Sequence, residues 1–251
     1  LAASGQHVAV IPAKEQFHLY LLMGQSNMAG RGPLPAAPVT PDPRILALNR
    51  NSEWIVVTEP LHWDKSTAGV GPGLSFARLM LAGEPHDAVR IGLVPCAVGG
   101  TPLRRWQNGG DLFENAFARA RVAMGAGTLK GILWQQGEND SLSETESSTY
   151  ADRLSRMIAE FHATLGAEEI PFVVGKLGLF LEDEPRDPFS ATINRALMEI
   201  PSRVPWTACV DSAGLGHKGD SVHFDSDAGF ELGKRYAQAM MALLRASALR
   251  G

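Results

Sequence analysis

Cysteine is scarce: only Cys96 and Cys209 occur in 251 residues, too few for a disulfide framework or a cysteine-based zinc site. Each stands alone in an apolar context near the end of a predicted strand, as buried thiols do. Basic clusters are missing as well. Arg104-Arg105 is a pair rather than a patch, and the net charge is −4, so no nucleic-acid partner is expected. No apolar run approaches the length of a membrane span, so no membrane partner is expected either. The chain shows no internal repeat and no low-complexity linker, which argues against solenoids and tethered modules. What remains is a chain long enough to bury a substantial core as one domain over 1–251, with no need of a metal or disulfide to hold it.

Five short apolar runs read as strands: 17–23, 89–94, 129–134, 172–176 and 206–210. Helical spacing of apolar residues marks 74–82, 111–124, 147–165, 187–200 and 226–249. Strands this apolar, alternating with helices, predict an α/β fold: a central five-stranded parallel sheet covered on both faces. Val8-Ala9-Val10-Ile11 is a candidate edge strand, and 45–57 reads as a short hairpin around Asn49-Arg50-Asn51. The Pro-dense stretch from Pro33 to Pro43 suits neither helix nor central strand. It opens a segment, 33–71, that is expected to shape the substrate pocket.

The chemistry gathers where strands end. Phe17 to Met23 runs straight into Gly24-Gln25-Ser26-Asn27, the second strand leads to Gly99-Gly100-Thr101, and the third ends in Gln136-Gly137-Glu138. A loop after the fifth strand holds His217, Asp220 and His223. In a doubly wound sheet all four loops open on one edge, where such folds bind ligands. Asp220 and His223, three apart, share one face of a helical turn, so the carboxylate can orient the imidazole. Ser26 then completes the order Ser, Asp, His, although G-Q-S-N-M lacks the second glycine of a G-x-S-x-G elbow. Taken singly, each block also reads as an ordinary polar turn.

Together, GQSNM after the first strand, GGT after the second, W-x-QGE-x-D after the third and D-x-x-H before the last helix resemble the SGNH hydrolase superfamily. Within it they resemble the branch of carbohydrate esterase family 6 and sialate O-acetylesterases. The resemblance runs from Gly24 to His223. It implies a flavodoxin-like three-layer α/β/α sandwich, with Ser26 as nucleophile, Asp220 as orienting acid and His223 as general base. It also implies an oxyanion hole built from the Ser26 N–H, the Gly100 N–H and the Gln136 side-chain amide. Gln25, Asn27 and Glu138 are assigned to supporting these groups; Glu138 is expected to orient Gln136, to hold the Ser26 loop or to share the orienting role of Asp220. Thr101 and Trp106 are candidate substrate contacts.

The implied activity is removal of O-acetyl groups from carbohydrate, with acetylated xylan preferred and O-acetyl sialate as the alternative, and with no cofactor and no metal. A secreted or periplasmic location suits such a substrate. The chain starts at Leu1 rather than Met, and no export signal is visible in it. Two readings from other classes compete. His217, Asp220, His223, Asp225 and Asp227 offer metal-ligand chemistry for a hydrolase within eleven residues, but that reading leaves Ser26, Gly100 and Gln136 without a role. A non-catalytic carbohydrate-binding protein is the other.

Overall fold

In the computed structural model, which describes residues 10–37 and 39–249, the strand β1 (Phe17–Gly24) lies at the centre of a seven-stranded sheet. Side chains alternate across a strand, and both faces of β1 are covered. Phe17, Leu19, Leu21 and Met23 enter one core, whereas Tyr20 and Leu22 enter the other. That two-sided burial is why the run is apolar apart from His18. His18 at its mouth is paired with Glu84 at 2.8 Å.

The chain continues through a helical turn α1 (Ser26–Ala29), strands β2 (Ile45–Leu48) and β3 (Trp54–Val56), helix α2 (Gly73–Ala82) and strand β4 (Arg90–Pro95). Next come α3 (Asp111–Met124), β5 (Thr128–Gln135), α4 (Glu144–Ser148), α5 (Tyr150–Leu165) and β6 (Phe172–Gly175). The chain closes with α6 (Ser190–Arg203), β7 (Thr207–Val210) and α7 (Ser226–Ala248). The sheet order is β3-β2-β4-β1-β5-β6-β7, parallel except for β3. Helices α3, α5 and α6 cover one face through Phe113, Phe161 and Leu197. Helices α2 and α7 cover the other through Phe76, Leu232 and Tyr236. This is the expected three-layer sandwich.

Four expectations need correction. The sheet has seven strands, not five, because the 45–57 hairpin is built into it. Ile45, Leu46, Ala47 and Leu48 are all buried, and β2 pairs with β4 in parallel register, so this arm is an interior strand and β3 closes the edge. The 147–165 helix is two helices that break at Thr149. There the Ser147, Ser148 and Thr149 hydroxyls bond back to the Ser143 and Thr145 carbonyls, competing with the helix ladder. The helix expected from Asp187 begins at Ser190, and Asp187 instead accepts the Ser141 hydroxyl at 3.3 Å. Of the candidate edge strand, Val8 and Ala9 lie outside the described residues, whereas Val10 and Ile11 are exposed and lie in no strand.

The strands after β1 diverge to its two sides: β2 and β4 on one, β5, β6 and β7 on the other. The end of β1 is therefore the switch point of the sheet, the place where an open α/β sheet leaves a crevice.

Candidate active site

Ser26 stands at that crevice because the chain turns sharply at Gly24. There φ is +126°, and a Cβ would strike the Gln135 carbonyl of the neighbouring strand, so only glycine lets the two backbones lie this close. Gln25 N–H then donates to Gln135 O at 2.9 Å, and Ser26 opens α1 with its side chain facing a cleft of about 440 Å³. Glu138, Asn139 and Gly100 line the same cleft, as does His223 from the loop before α7.

The structure brings Ser26, His223 and Asp220 into one relay. His223 Nε2 lies 3.1 Å from Ser26 Oγ, and His223 Nδ1 lies 2.7 Å from Asp220 Oδ2. A carboxylate on Nδ1 fixes the proton there and leaves Nε2 to accept from the serine hydroxyl. The pair does not sit on a helical turn as the spacing suggested. Ser221 takes a left-handed φ of 55°, and Asp220 Oδ1 accepts the N–H groups of Val222 and His223 at 3.0 and 2.9 Å. One carboxylate thus folds the turn and holds the imidazole. Burial pushes the Asp220 carboxyl up, but the His223 ring and these N–H donors outweigh it and hold it well below the usual range. Burial in turn lowers the His223 pKa, against the opposing pull of Asp220.

Asn27, next to the serine, brackets the histidine. Its amide donates to Val222 O at 3.1 Å and accepts from Phe224 N at 3.1 Å, while Nδ2 also reaches Glu138 Oε1 at 2.6 Å. The Ser26 turn and the His223 loop are thereby tied through one side chain, and Glu138 holds the Ser26 loop rather than Gln136. Glu138 is buried, its other oxygen has no partner, and burial pushes its pKa up to about 7.

Three expected contacts lie elsewhere. Gln136 is fully buried behind Gln25. Its Nε2 faces Asp140 at 2.7 Å, Thr101 O at 3.1 Å and Gln25 Oε1 at 3.2 Å, while Oε1 accepts from Tyr150. With only two hydrogens to give, it has none left for the cleft. Thr101 is buried, donating to Val98 O and accepting from Trp106 Nε1 at 3.2 Å. Trp106 is fully buried and packs edge-on against Trp134. Both residues brace the 98–106 loop from behind. Asn139 is the cleft residue that the sequence reading passed over. It is half-buried in the cleft wall, and its side-chain amide has no hydrogen-bond partner among the described residues. The available signal was its place as the first amide past Gly137, whose φ of +146° turns the chain out of the strand.

Segment 33–71 also reaches the site. Asp64 pairs with the buried Arg31 at 2.5 Å and accepts Gly99 N at 2.8 Å, which fixes the loop that presents the Gly100 N–H. The His217–Asp227 residues do not converge. His217 Nδ1 accepts from Gly219 and Ser221 N–H, and Asp225 caps α7 through Ala228 N. Among the described residues no group of three His, Cys, Asp or Glu side chains is placed to hold a metal.

A family model described as carbohydrate esterase, sialic acid-specific acetylesterase, matches residues 16–242. An Arabidopsis thaliana protein named "probable carbohydrate esterase" is 32% identical over 246 residues, covering 89% of this chain and 90% of that protein. A crystal structure of an Arabidopsis thaliana protein superposes with a TM-score of 0.82 at 30% identity, over 92% of this chain and 99% of that one. The structure of NanS follows with a TM-score of 0.79 at 20% identity, over 94% of this chain and 100% of that one. At that identity the likeness carries the fold alone.

Proposed function

The chain belongs to the carbohydrate esterase family of sialic acid-specific acetylesterases, and from that premise we propose that it is a serine esterase that removes O-acetyl groups from carbohydrate. The observation that carries this reading is the unbroken relay from Asp220 through His223 to Ser26 Oγ at the mouth of the cleft. Ser26 Oγ attacks the acetyl carbonyl as His223 Nε2 takes its proton. The oxyanion is met by the Ser26 and Gly100 N–H groups, neither of which has a protein acceptor among the described residues, and by the Asn139 amide in place of Gln136. His223 then returns the proton to the leaving sugar oxygen. Water, deprotonated by the same imidazole, releases acetate from Ser26.

Two acetylated sugars suit this chemistry. Xylan is neutral, whereas O-acetyl sialate carries a carboxylate. Lys65, on the cleft wall beside Gly100, has no acidic partner among the described residues, and this favours the acidic sugar.

The test is acetate release from p-nitrophenyl acetate, acetylated xylan and O-acetyl sialate, with and without EDTA. The expected outcome is hydrolysis that ignores EDTA and falls at least roughly 10⁴-fold in Ser26→Ala. Lys65→Met should lower turnover of the sialate more than that of xylan. Activity that survives Ser26→Ala but disappears with EDTA would overturn the serine mechanism, and inactivity on every ester would favour a binding protein.

A further inference from the structure

Because β2 runs parallel to β4, the turn that follows it, residues 49–52, opens on the same sheet edge as Ser26 and Gly100. Two strand spacings, about 10 Å, separate the ends of β2 and β1. A short oligosaccharide bridges that span.

Trp63 occupies this stretch of the edge. At 41% exposure it is the sole aromatic among the exposed large apolar residues described. The Arg119 guanidinium lies 5.0 Å from its ring centroid. That guanidinium is itself fixed by Pro95 O at 3.0 Å and Leu48 O at 2.6 Å, so a pinned cation backs the exposed indole. Trp63 lines two cavities. One, of about 340 Å³, is walled by Asn49, Arg50, Asn51 and His62. The other, of about 180 Å³, reaches Asp64 and Val98, and Asp64 is the carboxylate that holds Gly99 beside Ser26. Trp63 and Asp64 directly precede Lys65 of the cleft wall, so these cavities neighbour the catalytic cleft along the chain.

Two of their polar side chains are free. Among the described residues, the exposed Arg50 guanidinium and Asn51 amide have no protein partner. His62, only 4% exposed, lines both cavities behind them. A sugar ring offers apolar C–H faces and a polar rim. A rigid exposed indole flanked by free donors is the complementary surface.

We propose that Trp63, Arg50 and Asn51 form a subsite for a carbohydrate chain, with Trp63 stacked on a sugar ring and Arg50 and Asn51 on its hydroxyls or carboxylate. The enzyme then acts on acetylated units within a chain rather than on free monosaccharides. This rests on the esterase reading.

Calorimetric titration of the full chain with xylohexaose and with tetrasialic acid tests the subsite and separates a neutral ligand from an acidic one. The expected result is binding of one of them, weakened about tenfold in Trp63→Ala, the size of one lost aromatic contact. Arg50→Ala should weaken it too, and Trp63→Phe should recover part of the loss. The last two variants carry the test if Trp63→Ala does not fold. Binding of neither chain by the unaltered protein, or equal binding by the Trp63 and Arg50 variants, overturns the proposal. Hydrolysis of p-nitrophenyl acetate by the unaltered protein judges the esterase reading separately. Trp63-dependent binding without hydrolysis would sustain the subsite and sink the esterase.

Discussion

Gln136 and Asn139 lie three residues apart and carry related amides, yet their surroundings give them opposite work. Removing Gln136 opens a buried gap, strips Thr101 O of its donor and takes one partner each from Asp140 and the Tyr150 hydroxyl, at roughly 1–3 kcal/mol for an unsatisfied group. Gln136→Ala is therefore expected to lower the melting temperature by several degrees. Asn139→Ala should leave melting near that of the parent and cut kcat roughly 10²–10³-fold, as loss of one oxyanion donor does. Kinetics on p-nitrophenyl acetate beside thermal melts separate the two, and a parental kcat in Asn139→Ala would return the oxyanion role to other groups. Glu138 makes a prediction of a different kind. Burial raises its folded-state pKa from 4.5 to about 7, so its stabilising contribution is complete below about pH 4.5 and is lost as pH rises through 7. The loss amounts to about 3 kcal/mol. Glu138→Gln keeps an acceptor for Asn27 but does not ionise. Its stability relative to the parent should climb between pH 4.5 and 7 and then level off, as denaturant melts across that range would register. A flat difference would mean that Glu138 ionises in the folded protein as it does in the unfolded chain, with no raised pKa.

Elements were legible where burial is simple. The central strand announced itself because both faces of 17–23 are covered, and α5 and α7 because each buries one stripe. The fate of 45–57 was hidden, since a turn at Asn49-Arg50-Asn51 looks the same whether the hairpin lies on the surface or inside the sheet; pairing with β4 decides it. The clustering of Ser26, Asp220 and His223 was readable because they follow strand ends that a parallel sheet must bring together. Gln136 misled because spacing shows that an amide follows a strand, not which way it turns. Packing between α2 and α7 was equally invisible. Gly233 in α7 sits so close to α2 that a Cβ would collide with the Pro72 carbonyl and the Ser75 hydroxyl. In a free helix Gly→Ala gains about 1 kcal/mol. Here overpacking costs about 1–3 kcal/mol, and a backbone carbonyl cannot swing aside. Gly233→Ala should thus melt a few degrees below the parent, about 2–4 °C per kcal/mol for a chain of this size. A higher melting temperature would show that the two helices separate at little cost.

At the scale of the molecule, the sheet decides what its two cysteines can do. Cys96 follows β4 and Cys209 lies in β7, with β1, β5 and β6 between them. Four strand spacings place them about 19 Å apart, whereas a disulfide needs Cα atoms within about 7 Å. Oxidation therefore cannot link them within one folded chain. Nor are they reactive as single thiols. Burial pushes Cys96 up to about 11 and Cys209 up to about 12, which leaves Cys96 about 100-fold less ionised at neutral pH than an ordinary thiol. Iodoacetamide should accordingly leave the native protein unlabelled and mark two cysteines per chain in guanidinium chloride, as intact mass reports. With both cores joined through β1, the labelling rate should follow global unfolding, and melting should not depend on a reducing agent. The weak point is β7, an edge strand in which Cys209 is only partly buried. Native labelling of Cys209 alone would mean that this edge opens by itself, and the sheet would then not unfold as one unit.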